Sequence, residues 1–157
     1  MRIHLITIGT RMPDWVSTGY GEFAGRMPPE CRLNLVEIPL VKRAKPQDTA
    51  RCVAQEGERM LAAIPKGCRT WALQVTGQEY STEELAAEMK QWLQDGRDVA
   101  LLVGGPDGLA EACLRRAERH WSLSRLTLPH MLVRILAAEQ LYRARSLLLG
   151  HPYHRAS

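Results

Sequence analysis

Five consecutive apolar residues, Val99-Ala100-Leu101-Leu102-Val103, stand between Asp98 and Gly104. A run this short, with no polar residue at either alternate position, reads as a strand covered on both faces. Such strands belong to parallel sheets, and parallel strands need long crossover connections. The rest of the chain supplies them. Residues 3–8, 33–38 and 70–75 are further short apolar runs. Helical periodicity fills the intervals: 14–27, broken by Gly19, Gly21 and Gly25; 48–64, with Val53, Gly57, Met60, Leu61 and Ile64 on one face; and 82–95. Ser81-Thr82-Glu83-Glu84 is a capping box that opens the third helix, and Asp95-Gly96 closes it. A helix over about 109–119, an extended segment over 121–128 and a long helix over 130–148 complete the chain. The expected fold is α/β, a mainly parallel sheet with helices on both faces, in a single domain over residues 1–157.

Composition limits the function classes. Of 157 residues, 45% are hydrophobic and 24% charged, which suits one buried core and excludes a disordered chain. The net charge of +4 mildly favours polyanionic partners. Cys31, Cys52, Cys68 and Cys113 are irregularly spaced and form no CxxC pair, so they read as reduced, buried residues and not as a metal or disulfide framework. The N-terminal apolar run is short and holds His4, the mark of a first strand and not of a signal peptide. No stretch approaches the ~18 apolar residues of a membrane span. A cytoplasmic location is expected, without a membrane partner.

The last helix carries Arg134, Glu139, Arg143 and Arg145 on no common side, with apolar residues in the sectors between. A helix apolar around most of its circumference is buried on more than one side. The second cover is expected to be another copy of the chain; the alternative is the chain's own tail.

Four segments have the residue types of a site. Gly9-Thr10-Arg11-Met12-Pro13-Asp14-Trp15 fits neither GxGxxG nor a triphosphate loop. Arg11 and Trp15 would suit RNA by charge and stacking, or Asp14 is a cap and Trp15 a core residue. Gly104-Gly105-Pro106-Asp107-Gly108 follows the buried strand at the rim where open α/β sheets bind ligands. Trp121-Ser122-Leu123-Ser124-Arg125-Leu126-Thr127-Leu128-Pro129-His130 could offer backbone groups to an adenine between leucines, or form a fifth strand. The tail, Gly150-His151-Pro152-Tyr153-His154-Arg155, offers two histidines as metal ligands but no third, and suits an RNA phosphate or a reacting base better.

These segments, in this order, resemble the RlmH family of SPOUT-superfamily methyltransferases. Asp95-Gly96-Arg97-Asp98 before the glycine turn and Leu141-Tyr142-Arg143-Ala144 before the tail strengthen the resemblance, which spans essentially the whole chain. It implies a SPOUT α/β-knot with a C-terminal trefoil knot. It implies a homodimer, with S-adenosyl-L-methionine as methyl donor and N3 of a pseudouridine in 23S rRNA, not DNA, as acceptor. The charge of +4, modest for tight RNA binding even when a dimer doubles it, leads us to expect activity on assembled ribosomes more than on naked RNA. Carried over by motif, Leu73, Gly105, Ser124, Arg125, Leu126, Thr127, Leu128 and Pro129 would contact the cofactor. Arg143, Tyr153, His154 and Arg155 would serve catalysis, and no metal is implied. The segment Gln74-Val75-Thr76-Gly77 lacks the acidic residue common in the family, and residues 39–45 keep its basic character but not every glycine. The residues alone also admit a non-catalytic RNA-binding module or a small-molecule enzyme with a phosphate on its glycine turn.

Overall fold

A computed structural model describes residues 1–155; the last two positions of the domain expected over 1–157 lie outside the described residues. Five parallel strands, β1 (Arg2–Ile8), β2 (Arg32–Ile38), β3 (Arg69–Glu79), β4 (Val99–Val103) and β5 (Arg119–Ser122), form one sheet in the order β2-β1-β4-β3-β5. The helices are α1 (Asp14–Ala24), α2 (Thr49–Ala63), α3 (Thr82–Asp95), α4 (Glu111–Arg116) and α5 (His130–Leu148). The apolar run that anchors the sequence reading is β4, buried at all five positions and flanked by β1 and β3.

Strand alternation divides the core in two. Ile3, Leu5, Val99, Leu101 and Val103 face one side, where they meet α1, α3 and α5 through Tyr20, Met89, Trp92, Ala137 and Leu141. Ile6, Ile8, Ala100 and Leu102 face the other and meet α2 and α4 through Met60 and Cys113. Helices therefore cover both faces, as expected. Trp71 anchors the first side, stacked on Tyr80 at 5.4 Å and edge-on to Trp92 at 5.1 Å. All four cysteines are free and buried. The Ser81 box holds α3 with both reciprocal bonds, and Gly96 ends it at φ 77°.

Three elements differ from the sequence expectation, each for a local reason. β3 runs on to Glu79, and its pairing with β5 slips between Leu73 and Gln78. Gly77 allows that slip, since a Cβ there would stand 2.6 Å from the His120 carbonyl oxygen. β5 covers only residues 119–122, and most of the expected extended segment is an irregular loop. Hydroxyls take over from the ladder there: Ser122 Oγ donates to the Ser124 carbonyl at 2.9 Å, and the Leu126 amide donates to Ser124 Oγ at 2.9 Å. α4 is one short helix because Ala110 and Ala117 on either side are extended.

Candidate functional site

The carboxyl ends of β3, β4 and β5 and the start of α5 enclose a cleft of about 560 Å³. One wall is the part of β3 just past its pairing with β4 (Leu73, Gln74, Val75); a second is the glycine turn (Gly104 to Leu109); a third is the loop from Leu123 to His130. The glycine turn is tight. A Cβ on Gly104 would lie 2.5 Å from the Gly108 carbonyl carbon, and one on Gly105 would press on Ile8 at 3.0 Å. Bare backbone thus reaches the cleft surface at the rim where open α/β sheets take ligands. The turn is held from outside by Arg43, which donates Nε to Asp107 Oδ2 at 3.2 Å and pairs with the buried Glu56 on α2.

Seven of the eight residues matched to cofactor contact line this cleft: Leu73, Gly105, Ser124, Leu126, Thr127, Leu128 and Pro129. Arg125 does not. Its side chain is 90% exposed and lies 3.8 Å from Glu79. Leucine and valine side chains line the cleft, while the amides of Thr127 and Leu128 enter no backbone–backbone hydrogen bond among the described residues. Unspent amides between apolar walls can read the edge of a planar heterocycle whose faces pack on leucine.

The tail forms a separate cluster. Tyr153 packs on Tyr142 with ring centroids 4.6 Å apart, and Arg143 lies over its ring at 4.8 Å. Glu139 joins them, accepting from Tyr153 Oη–H at 3.0 Å and from Arg143 Nη2 at 2.7 Å. Burial, reinforced by the bond to Glu139, raises the Tyr153 phenol above its ordinary pKa. His154 meets the His151 carbonyl, and Arg155 is exposed. None of these four lines the cleft. Arg143 stands 13 residues beyond His130 (143 − 130) on α5, roughly 20 Å along the axis. Within one chain the cofactor-matched and tail groups therefore sit apart.

Two features escaped the sequence reading. Arg134 is only 3% exposed, with Nη1 on Glu37 Oε2 at 2.7 Å and Nη2 on Thr7 Oγ1 at 2.9 Å and the Gly9 carbonyl at 3.4 Å. It ties α5 to the first βα turn, where Arg11 adopts φ 56°. His130 lines the cleft one turn before it. Trp15 is 53% exposed and Pro13, not Asp14, occupies the cap position, so the first turn presents its aromatic outward.

The family model described as "Predicted SPOUT methyltransferase" matches residues 1–154. The chain belongs to the SPOUT methyltransferase family. Among its relatives, a protein of Thioalkalivibrio sulfidiphilus named ribosomal RNA large subunit methyltransferase H is 59% identical over 155 residues, covering 99% of each chain. One of the same name from Azotobacter vinelandii is 56% identical, covering 99% of this chain and all of its own. In structure the chain is similar to a probable methylase family protein from Haemophilus influenzae Rd KW20, with a TM-score of 0.52 and 16% identity, covering 99% of this chain and 70% of the other. It is similar also to TrmJ of Z. mobilis, with a TM-score of 0.51 and 18% identity, covering 91% and 70%. At these identities the structural likeness concerns the fold.

Proposed function

We propose that this chain transfers a methyl group from S-adenosyl-L-methionine to N3 of a pseudouridine in 23S rRNA of the large ribosomal subunit, in the cytoplasm and on the assembled ribosome. The observation that carries this is the cleft itself: it is built from the residues matched to cofactor contact, at the carboxyl rim of a parallel sheet, in a member of a methyltransferase family. Near-full-length relatives named as large-subunit rRNA methyltransferases supply the substrate class.

The residues fit the cofactor. The unspent amides of Thr127 and Leu128 would read the adenine, Leu73 and Leu128 would cover its faces, and the bare backbone at Gly105 would admit its close approach. When bound, the cofactor supplies an electrophilic methyl group on a sulfonium. The protein has then to align the acceptor and favour its deprotonated form. Arg143, Tyr153, His154 and Arg155 would do so as cationic and hydrogen-bonding groups around the base. They stand far from their own cleft, so the reading includes a homodimer in which one subunit's tail completes the other's site. Leu132, 37% exposed at the start of α5, supports that, as does the partial exposure of Leu136 and Leu147 farther along the helix. The C-terminal trefoil knot belongs to the same reading; α5 returns from the sheet edge at β5 to pack between α1 and α3.

The test is methyl transfer to ribosomes that lack the modification, followed by mapping of the methylated nucleoside, with cofactor binding followed by calorimetry. Transfer to that pseudouridine is expected. Cofactor binding without transfer would refute the substrate, and no binding at all would favour a non-catalytic RNA-binding module. Arg155→Ala and His154→Ala are expected to lower turnover by ~10-fold or more with cofactor affinity unchanged. Wild-type turnover in both would remove the tail from catalysis.

A further inference from the structure

Of the five histidines, four use ring nitrogens within the fold. His4 meets Asp98 and Asn34, His120 the Leu114 carbonyl, His151 the Tyr153 amide and His154 the His151 carbonyl. His130 makes no side-chain hydrogen bond among the described residues, and it lines the cleft. Its backbone is the first residue of the 19-residue α5, so the ring stands on a rigid element. Its Nε2 lies 4.0 Å from where a Cβ on Gly9 would be, a point that the Met12 methyl approaches to 3.1 Å, and Gly9, at φ 117°, adds no side chain of its own beside the imidazole. One helical turn on, Arg134 fixes this end of α5 to Thr7, Gly9 and Glu37.

We propose that His130 is a catalytic residue, the general base that takes the proton from the acceptor nitrogen. This rests on the reading of the cleft as a methyl-transfer site. The N–H bond of the base breaks, its proton passes to a ring nitrogen of His130, and the electron pair stays on the acceptor nitrogen as the nucleophile. The imidazolium afterwards releases the proton to solvent. An imide N–H is a weak acid at neutral pH, so a positioned acceptor has work to do.

The surrounding charges permit it. Apart from His130, the cleft lining contains no Asp, Glu, Lys, Arg, Cys or Tyr. On α5 the facing charge is Arg134, whose guanidinium is met by Glu37 of β2. On the first turn Arg11 and Asp14 are exposed, and on the glycine turn Asp107 is paired with Arg43. Burial, and secondarily Arg134, hold the imidazole below its ordinary pKa of 6.5. It is thus neutral at pH 7 and able to accept a proton.

The test compares wild type with His130→Gln, which keeps a polar side chain of similar reach but no base. Single-turnover methyl transfer to unmodified ribosomes is measured between about pH 5 and 9, with cofactor affinity by calorimetry and folding by thermal melting. The wild-type rate should level off above an ionisation lying below the ordinary imidazole value, and NMR titration of the His130 ring in the protein should show the same ionisation. The variant should bind cofactor normally, be slower by ~10²-fold at pH 7 and rise steadily with pH without levelling. Added imidazole should restore part of the rate in His130→Gly. A variant with the wild-type pH profile, at whatever rate, overturns the proposal. So does a ring ionisation that does not match the kinetic one. If the variant fails to fold, a wild-type profile in His130→Asn overturns it equally. A wild type that neither binds cofactor nor methylates ribosomes defeats the parent reading, and a wild type that methylates while His130→Gln is unaffected defeats only this one.

Discussion

Arg43 and Glu56 show what one buried pair contributes to a site it does not enter. Glu56 is 3% exposed in its side chain and accepts from both Arg43 and the Val41 amide, the latter at 2.8 Å. Removing one partner of such a pair leaves a desolvated charge, which costs more than the pair contributes on balance. Arg43→Ala is expected to destabilise the chain by about 3 kcal/mol, a fall in melting temperature of roughly 6–12 °C. It should also loosen the glycine turn through Asp107 and raise the Kd for cofactor. The double variant Arg43→Met, Glu56→Leu should recover most of the melting temperature and not the cofactor affinity, since Asp107 stays unheld. Recovery of both would mean that the Asp107 contact is idle. Nothing in the sequence pointed to this pair. Arg43 reads as one more cation in a basic loop, and Glu56 as a solvated residue beside the Val53–Gly57–Met60 stripe. Arg134 was equally opaque, because a charged residue gives no hint that its partners lie some hundred residues earlier. Side-chain partners across long sequence separations are set by the finished fold and leave no periodic trace. Glycine is the opposite case: Gly104, Gly105 and Gly108 were legible as a tight turn at the sheet rim because their meaning is local backbone geometry.

At the scale of elements, strands and helices were readable wherever a solvent-facing or fully covered pattern decided them, as in β4 and α3. The error fell at β5 and the end of β3, where the sheet itself is irregular. A hydroxyl-rich segment looks extended in sequence, yet Ser122 and Ser124 divert the chain from the ladder, and the resulting loop is a wall of the cleft. The slip of β3 against β5 makes the other side of the same opening. Gly77 sits at that slip, where an added Cβ would stand 2.6 Å from the His120 carbonyl oxygen and 3.0 Å from the Gln74 carbonyl oxygen. Gly77→Ala should therefore part the two strands, costing about 2 kcal/mol in stability and lowering cofactor affinity by ~10-fold or more. Gly67 provides the control. It has φ 85° with open space around it, so Gly67→Ala carries only a backbone cost of about 1 kcal/mol and should leave calorimetric affinity unchanged. Equal effects on affinity would show that the slip does not shape the cleft.

For the whole molecule, the separation of cleft and tail decides the stoichiometry of a site. In sequence they lie close together, and the resemblance made them one constellation. In space α5 holds them apart by its length, with the cleft at its first turn and Arg143 roughly 20 Å along it. A straight helix cannot fold back on itself, so under the proposed roles of cleft and tail a single chain would bring only one of the two to a given base. Two antiparallel copies of α5 would bring each tail to the other cleft, and would double a net charge of +4 to +8 on one RNA-facing surface. This arrangement is tested by mixing inactive subunits. Gly105→Leu fills the glycine wall and disables the cleft; Arg155→Ala disables the tail. Each variant alone should be nearly inactive. Co-refolded in equal amounts, half the dimers are hybrids, and each hybrid holds one site with an intact cleft from one subunit and an intact tail from the other. Activity should return to about a quarter of wild type. If cleft and tail of the same chain work together, every site in the hybrid keeps one defect and mixing restores nothing.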